Sequence, residues 1–277
     1  MILNAVSFCC PLILCSLGAV YSEFTGCLAL FLDGMVCFSA FLFFAFFELT
    51  KSIVLSIFFT IFSSAAITAF FSFLTEKFNS NKFIAAIGLN LLFSALPSTF
   101  SSLSFNTRGI LNSPELSARL PQFFSNAVTI IITIILVIAG ILFLQKTRTG
   151  LYIRISGTDS DVLLSKGVNP KIPKIFGWTI TSIYASFAGC FLTMKICSFV
   201  PNISSGRGWL ALAAVFLGKK GNLTRLVTVK IIICVVIFCI AELFSANIQN
   251  FIPQIPTSVL ISFPYIIVLC LAFFTQS

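Results

Sequence analysis

The sequence predicts an all-α, polytopic membrane helix bundle of about eight to ten spans. Only 9% of its 277 residues are charged, whereas about a quarter are charged in a soluble domain. Apolar runs long enough to cross a bilayer recur along the whole chain, which is treated as one transmembrane domain, 1–277. The basic residues are also grouped, since twelve of the 17 Lys and Arg lie in 77–82, 146–174 and 219–230.

The apolar runs are the predicted spans. Asp33 and Gly34 interrupt the second run, and the seventh is short and follows the Gly-rich SSGRG, so both of these segments are expected to be broken. The first run lacks a basic start and a cleavage site, so it is interpreted as a retained span and not a signal peptide. In order, the runs are 2–21, 26–47, 52–74, 83–103, 126–144, 175–194, 209–217, 226–245 and 259–274.

The distribution of charge predicts which side each loop faces. With these spans, the basic loops 75–82, 146–174 and 218–225 all fall on one side, which the positive-inside rule assigns to the cytoplasm. The polar loops 104–122, 196–207 and 246–257 fall outside. The N-terminus is then expected outside and the C-terminus inside.

The loop 145–174 is the longest polar interruption, and it contains a short helix with clear start and stop signals. Thr158 and Asp159 can cap the helix start, VLLSK follows, Gly167 suits the position after the helix, and Pro170 prevents continuation. A loop that only reversed the chain would not need such a helix. We therefore predict a cytoplasmic surface that binds a partner.

Two segments repeat the pattern GxLAL, one starting at Gly26 and the other at Gly208. The predicted topology makes one enter from the cytoplasm and the other from outside. Opposite orientation is typical of an inverted-topology repeat, in which discontinuous helices flank the substrate pathway. The match is short, so the repeat is a hypothesis.

Several single residues are candidates for function, each with a plainer structural alternative. Asp33 either lines a pathway and handles protons, or forms a structural hydrogen bond to a neighbouring helix end. Asn90 either binds a polar ligand or joins two helices. Gly206 and Gly208 allow a tight turn, and Trp209 suits the membrane interface.

Other classes of function lack the residues they need. The chain has no histidine, and its ten cysteines lie almost entirely in apolar segments, so neither a metal site nor a cofactor is predicted. Neither a nucleotide-binding loop nor a catalytic set is present, and the scattered remaining charges do not form a nucleic-acid-binding face. The pattern favours the membrane half of a machine driven by another polypeptide.

The chain resembles the permease subunits of ATP-binding-cassette importers of the branched-chain amino acid, simple sugar and nucleoside family. It is most similar to the shorter nucleoside-type permeases, which include riboflavin importers. Five segments carry the resemblance in the family's order: LGAVYSEFTGCLALFLDGM, FIAAIGLNLL, TRTGLYIRISGTDSDVLLSKGVNP, SSGRGWLALAAVFLGK and IPTSVLISFPYIIVL. Ala29 and Phe31 depart from the family's usual Asn and Gly, which leaves the substrate open, and Ser160 replaces a common Pro.

The resemblance implies that 157–167 is the coupling helix that docks on a cytosolic ATPase. The implied coupling residues are Arg154, Gly157, Thr158, Asp159, Ser160, Asp161, Leu163, Leu164 and Gly167. The implied substrate pathway contains Ala29, Phe31, Asp33, Gly34, Asn90, Gly206, Gly208 and Trp209.

The resemblance further implies that the protein is a multi-pass protein of the bacterial inner membrane. Its implied partners are a second, non-identical permease, an ATPase that uses the ATP, an extracytoplasmic substrate-binding protein and membrane lipid. The expected substrate is a nucleoside or related ribosyl compound, with riboflavin open. The rival hypotheses are an ion-coupled secondary transporter using Asp33, a membrane scaffold and an intramembrane enzyme.

Overall fold

The computed structural model describes residues 2–107, 109–119, 122–218, 231, 233–244, 262 and 264–270. Its helices are α1 (Ile2–Phe24), α2 (Leu32–Thr50), α3 (Ile53–Lys77), α4 (Lys82–Phe105), α5 (Pro114–Arg119), α6 (Gln122–Lys146), α7 (Arg148–Thr158), α8 (Ser160–Ser165), α9 (Lys171–Ile196), α10 (Arg207–Gly218) and α11 (Ile233–Phe244). Two short strands, β1 (Leu111–Asn112) and β2 (Ser198–Phe199), pair antiparallel. Residues 264–270 are also helical.

The predicted all-α membrane bundle is confirmed. In the described part of the chain, α1, α2, α3, α4, α6 and α9 are long and apolar enough to cross a membrane. The shorter helices α10 and α11 match the seventh predicted run and much of the eighth. The basic turn 219–225, the loop 246–257 and half of the last predicted run lie outside the described residues.

The helix α9 lies at the centre of the bundle, packed against α1, α2 and α3. Like α1 and α2, it is largely buried, whereas α3, α4 and α6 expose most of their length. The exposed positions are mainly Phe, Leu and Ile, as expected for surfaces that face lipid.

The helix α3 buries hydroxyl groups and exposes aromatic rings. Ser56, Thr60, Ser64, Thr68 and Ser72 recur every fourth residue, so they share one face, and all five are buried. Phe58, Phe62 and Phe70 point outward. Because lipid is as apolar as a leucine core, helices in membranes associate through small residues and interhelical hydrogen bonds. The hydroxyl face of α3 packs on α9 in this way, and the Ser64 and Ser186 hydroxyls are hydrogen-bonded.

The β1–β2 ribbon marks one end of the bundle, which we call the ribbon end. Here Lys51 pairs with Glu48 at 2.6 Å and with Glu115 at 3.2 Å, which fixes the α2–α3 turn against the loop that carries α5. The hydrogen bond to Glu48, joined by the charge of Glu115, raises the pKa of the Lys51 ammonium group above its usual value.

The opposite end, which we call the α7–α8 end, holds the basic residues of the described chain that the sequence assigned to the cytoplasm. The turn between α3 and α4 is fixed there by Lys82, which pairs with Glu76 at 2.6 Å. The Lys171 ammonium donates to the Glu76 carbonyl and to Asn79 Oδ1, each at 2.8 Å, and so joins this turn to the start of α9.

Candidate half-helix junction and coupling segment

Two interrupted segments lead into the helices α2 and α10. Residues 25–31 precede α2, residues 200–206 precede α10, and each contains a glycine with a positive φ, +69° at Gly26 and +79° at Gly206. The two helices run in opposite directions from neighbouring N-termini. The helix α2 leads to the ribbon end, where Lys51 follows it. The helix α10 begins at the level of Phe8 and ends at Gly218. Gly218 contacts Ile231, which lies beside the middle of α1.

The N-termini of α2 and α10 meet at Asp33, Gly34, Asn90 and Gly208, which we call the half-helix junction. The amide of Gly208 donates to Asp33 Oδ1 at 3.1 Å, and the amide of Gly34 donates to Asn90 Oδ1 at 2.8 Å. The first amides of a helix lack intrahelical partners and carry partial positive charge, so an oxygen at each N-terminus is stabilising. For Asp33, this geometry matches the structural alternative that the sequence left open, a hydrogen bond to a neighbouring helix end.

The two glycines of the junction are required by close packing. A Cβ on Gly34 would overlap the carbonyl and side-chain oxygens of Asn90 on α4. A Cβ on Gly208 would overlap the backbone of Asp33. Any side chain at either position would therefore separate the helices and lengthen the hydrogen bonds that join them.

Aromatic side chains satisfy the backbone of both interrupted segments. The Trp178 indole donates to the Cys27 carbonyl at 2.8 Å, and the Tyr265 hydroxyl donates to the Ser205 carbonyl at 2.9 Å. Inside a bilayer, an unpaired backbone carbonyl costs several kcal/mol, so non-helical backbone persists only where the protein supplies partners. These two bonds stabilise the breaks before α2 and α10.

The remaining residues of the predicted pathway lie in different surroundings. Ala29 and Phe31 are fully buried, and the Phe31 ring packs edge-on against Trp178 at 5.2 Å between centroids. Gly206 packs against the Tyr265 hydroxyl, and Trp209 is 43% exposed. The substrate pathway therefore stays a prediction.

The two segments that share the sequence pattern GxLAL differ in conformation. Residues 28–30 precede α2, whereas residues 210–212 lie within α10.

A buried ion pair lies beside the junction, and the sequence analysis did not predict it. Arg207, the first residue of α10, pairs with Glu242 of α11 at 2.6 Å, and both side chains are largely buried. The Arg207 guanidinium lies 5.0 Å from the centroid of the Phe8 ring, and the Lys195 ammonium lies 4.7 Å from it. One available signal was that Arg207 shortly precedes the seventh predicted run and Glu242 lies near the end of the eighth.

The segment predicted to couple to an ATPase, residues 147–168 at the α7–α8 end and here called the coupling segment, contains two helices where the sequence predicted one. The helix α7 is capped by Thr147, whose hydroxyl accepts from the Gly150 amide at 3.0 Å, and it ends at Thr158. Asp159 alone caps α8 by accepting from the Asp161 amide at 3.0 Å, so Thr158 ends α7 and does not cap α8.

The end of α8 has the predicted glycine stop. Gly167 has φ +72°, and the amides of Gly167 and Val168 bond the carbonyls of Leu164 and Leu163, which is a Schellman motif. Leu163 is fully buried, whereas Leu164 is 58% exposed, so α8 presents a leucine outward on a firmly capped helix.

The coupling segment is packed directly on the interrupted segment before α2. A Cβ on Gly157 would overlap the carbonyl of Phe24 and the amide of Gly26. Gly150 likewise packs on the backbone of Phe143 and Leu144 in α6. The contacts therefore run from α8 through α7 to the segment that carries the half-helix junction.

Comparison with known proteins identifies the family. Residues 1–270 match the family described as branched-chain amino acid transport system / permease component. The chain belongs to this family. It is 28% identical over 228 residues to the putative glucose ABC transporter permease protein TsgC13 of Haloferax volcanii, covering 77% of this chain and 69% of that protein.

Two further relatives of the permease are named for nucleosides. It is 25% identical to the guanosine ABC transporter permease protein NupQ of Bacillus subtilis, with 76% of this chain and 73% of NupQ covered. It is 24% identical to the nucleoside ABC transporter permease protein NupC of Lactococcus lactis, with 79% and 75% covered. These names support an ABC permease and leave the substrate to a separate test.

A solved structure supports the fold of the permease. PsaBC from Streptococcus pneumoniae, in complex with Fab, superposes with a TM-score of 0.60 at 12% identity and covers 97% of this chain and 89% of that one. At this identity the likeness concerns the fold alone. The permease is thus a multi-pass transport subunit whose family works with separate ATPase and substrate-binding partners.

Proposed function

We propose that the permease moves a nucleoside or a related ribosyl compound inward, driven by a cytosolic ATPase that docks on α8. The docking proposal rests on the capped α8 helix, which exposes Leu164 at the end of the bundle where the basic residues lie. The relatives named for guanosine and nucleosides support the substrate class.

The packing suggests how force would reach the membrane. Closure of the ATPase would push on α8, and α7 would transmit the push because its Gly157 lies on the Phe24–Gly26 turn. That turn leads into α2, where Asp33 in the first turn accepts a hydrogen bond from the Gly208 amide of α10. A rigid element that touches both half-helices can bias the bundle between inward- and outward-open states.

The remaining partners follow the same proposal. A second, non-identical permease would complete the transporter, and an extracytoplasmic binding protein would deliver substrate to the ribbon end. The ATP would be used by the partner ATPase and not by this chain. The complex would reside in a bacterial inner membrane, with the α7–α8 end in the cytoplasm.

A substitution on α8 tests the docking. Leu164→Asp should abolish uptake and co-purification of the ATPase while membrane insertion is unchanged, because it replaces the exposed apolar contact with a charge. Thr149→Asp is the matched control, since Thr149 is exposed near the α7 N-terminus, where an acid is favourable. Undiminished ATPase association of Leu164→Asp would overturn the assignment of α8.

The substrate needs its own measurement. In cells that express the permease with its partners, guanosine, glucose and riboflavin should be compared as competitors of labelled nucleoside uptake. Unlabelled guanosine should inhibit strongly and glucose weakly. Transport of glucose or riboflavin without nucleoside transport would reject the substrate class and leave the α8 docking intact.

A further inference from the structure

We propose that the permease holds one anionic phospholipid in a groove between α1 and α6, with the lipid phosphate on the Arg154 guanidinium. The proposal concerns a bound lipid of the membrane leaflet at the α7–α8 end. It is independent of the transported substrate.

The groove is an apolar cavity of about 260 Å³ between α1, α6 and the region of α11. Among the described residues, neither an acid nor a base lines it. From α1 and α6 its walls are formed chiefly by Ile13, Leu17, Val20, Ile134, Val137 and Ile138. Such a wall suits a hydrocarbon chain and offers almost nothing to a polar solute.

A second, smaller cavity follows the groove toward the α7–α8 end. Leu17 and Val20 also line a second cavity, which extends past Phe24 and Gln145 to Arg154. From Ile13 to Phe24 the path along α1 is about 17 Å at the helical rise of about 1.5 Å per residue. This is close to half of the roughly 30 Å hydrocarbon core, so the two cavities together are as long as one leaflet is thick.

The polar end of the groove has an unsatisfied donor. Arg154 Nε is buried and has no hydrogen-bond partner, and none of the ion pairs among the described residues involves Arg154. The cavity beside it has a volume of about 20 Å³, enough for one oxygen-sized group. A phosphate oxygen would accept from Nε and match the charge of the guanidinium.

The surrounding charge favours an anionic headgroup over a second protein. Lys146 and Arg148 are exposed at the junction of α6 and α7, close in sequence to this end of the groove. Basic residues at the cytoplasmic membrane surface attract anionic lipids. An apolar helix of a second permease would cover the groove and leave the Arg154 donor unpaired, a loss that the lipid phosphate avoids.

Lipid retention by the intact transporter complex tests the site. Native mass spectrometry would measure binding of phosphatidylglycerol and of phosphatidylcholine to the detergent-purified complex. Arg154→Gln should weaken phosphatidylglycerol binding roughly tenfold or more, because it removes a charge-assisted donor. Arg148→Gln, an equal charge loss at an exposed position of the same helix, should weaken it less than about fivefold.

A second pair of variants tests the apolar wall without touching Arg154. Val137→Phe, which fills the groove, should displace the lipid, whereas Ile135→Phe on the outward face of α6 should leave binding unchanged. Equal binding of both lipids, or equal effects of Arg154→Gln and Arg148→Gln, would overturn the proposal. A photo-crosslinker in place of Ile138 should capture lipid, and capture of the second permease would also overturn it.

Discussion

Asp33 Oδ1 accepts a hydrogen bond from the Gly208 amide at 3.1 Å, across 175 residues of sequence. The bond joins the first turn of α2 to the first turn of α10, two helices that run in opposite directions. The carboxylate therefore lies at two helix N-termini at once, where partial positive charge stabilises it. Its role as an acceptor explains an acid inside a bilayer without any ion coupling.

Asp33→Asn should preserve uptake, because an amide oxygen can still accept from the Gly208 amide. Asp33→Leu should lower the stability of the purified permease by about 1–3 kcal/mol, since it leaves that amide without an acceptor. Thermal unfolding in detergent and uptake in cells would measure the two effects.

The ion-coupled alternative makes the opposite prediction for the same variants. A coupling carboxylate cannot be replaced by an amide, so Asp33→Asn would lose uptake at unchanged stability. Wild-type uptake would also collapse with an uncoupler and persist without the ATPase. Either result would reject the structural role of Asp33.

Gly34→Ala should destabilise the permease by about 1–3 kcal/mol, because the added methyl group overlaps Asn90 and forces α2 from α4. Gly88→Ala is the matched control, since Gly88 lies on α4 two residues from Asn90 and has open space beside it. The control should be neutral or stabilise by up to about 1 kcal/mol, because alanine is the better helix former. Equal melting temperatures for the two variants would show that the close approach of Gly34 to Asn90 is unimportant.

The long helices and their order could be predicted from sequence because membrane spans depend on local composition. An apolar run of sufficient length leaves the backbone few alternatives to a helix. The helix α7 was missed because RTGLYIRISGT has weak hydropathy and two glycines. Gly150 and Gly157 instead allow α7 to pack closely on α6 and on the turn after α1, contacts that only the fold reveals.

Gly157→Ala should impair uptake while the ATPase still co-purifies, because it disturbs the contact between α7 and the Phe24–Gly26 turn and leaves the α8 surface intact. Uptake and co-purification should be measured in the same preparation. Loss of the ATPase would mean that Gly157 shapes the docking surface itself, and normal uptake would mean that this contact does not carry the motion.

The part of the site that could not be predicted is formed by contacts between residues that are distant in sequence. Asp33, Asn90 and Gly208 were each selected as candidates, but no pattern in the sequence states that their helices meet. The pairing of Arg207 with Glu242 is similar, because either residue alone looks like a charge at the end of a span. Pairing depends on helix packing, which a single sequence does not encode locally.

A double-mutant cycle at Arg207 and Glu242 would show what the buried pair contributes. Arg207→Met and Glu242→Gln should each destabilise the permease by about 3–5 kcal/mol, because each leaves a buried partner without its counter-charge. The double variant should recover much of that loss, since neither charge then remains unpaired. Lys51→Met, at the more exposed pair with Glu48 and Glu115, is the control and should change the melting temperature far less, because solvent screens an exposed ion pair. Additive losses in the double variant would mean that Arg207 and Glu242 act separately and that the pair does not hold α10 against α11. Arg207 would then act through its contact with Phe8.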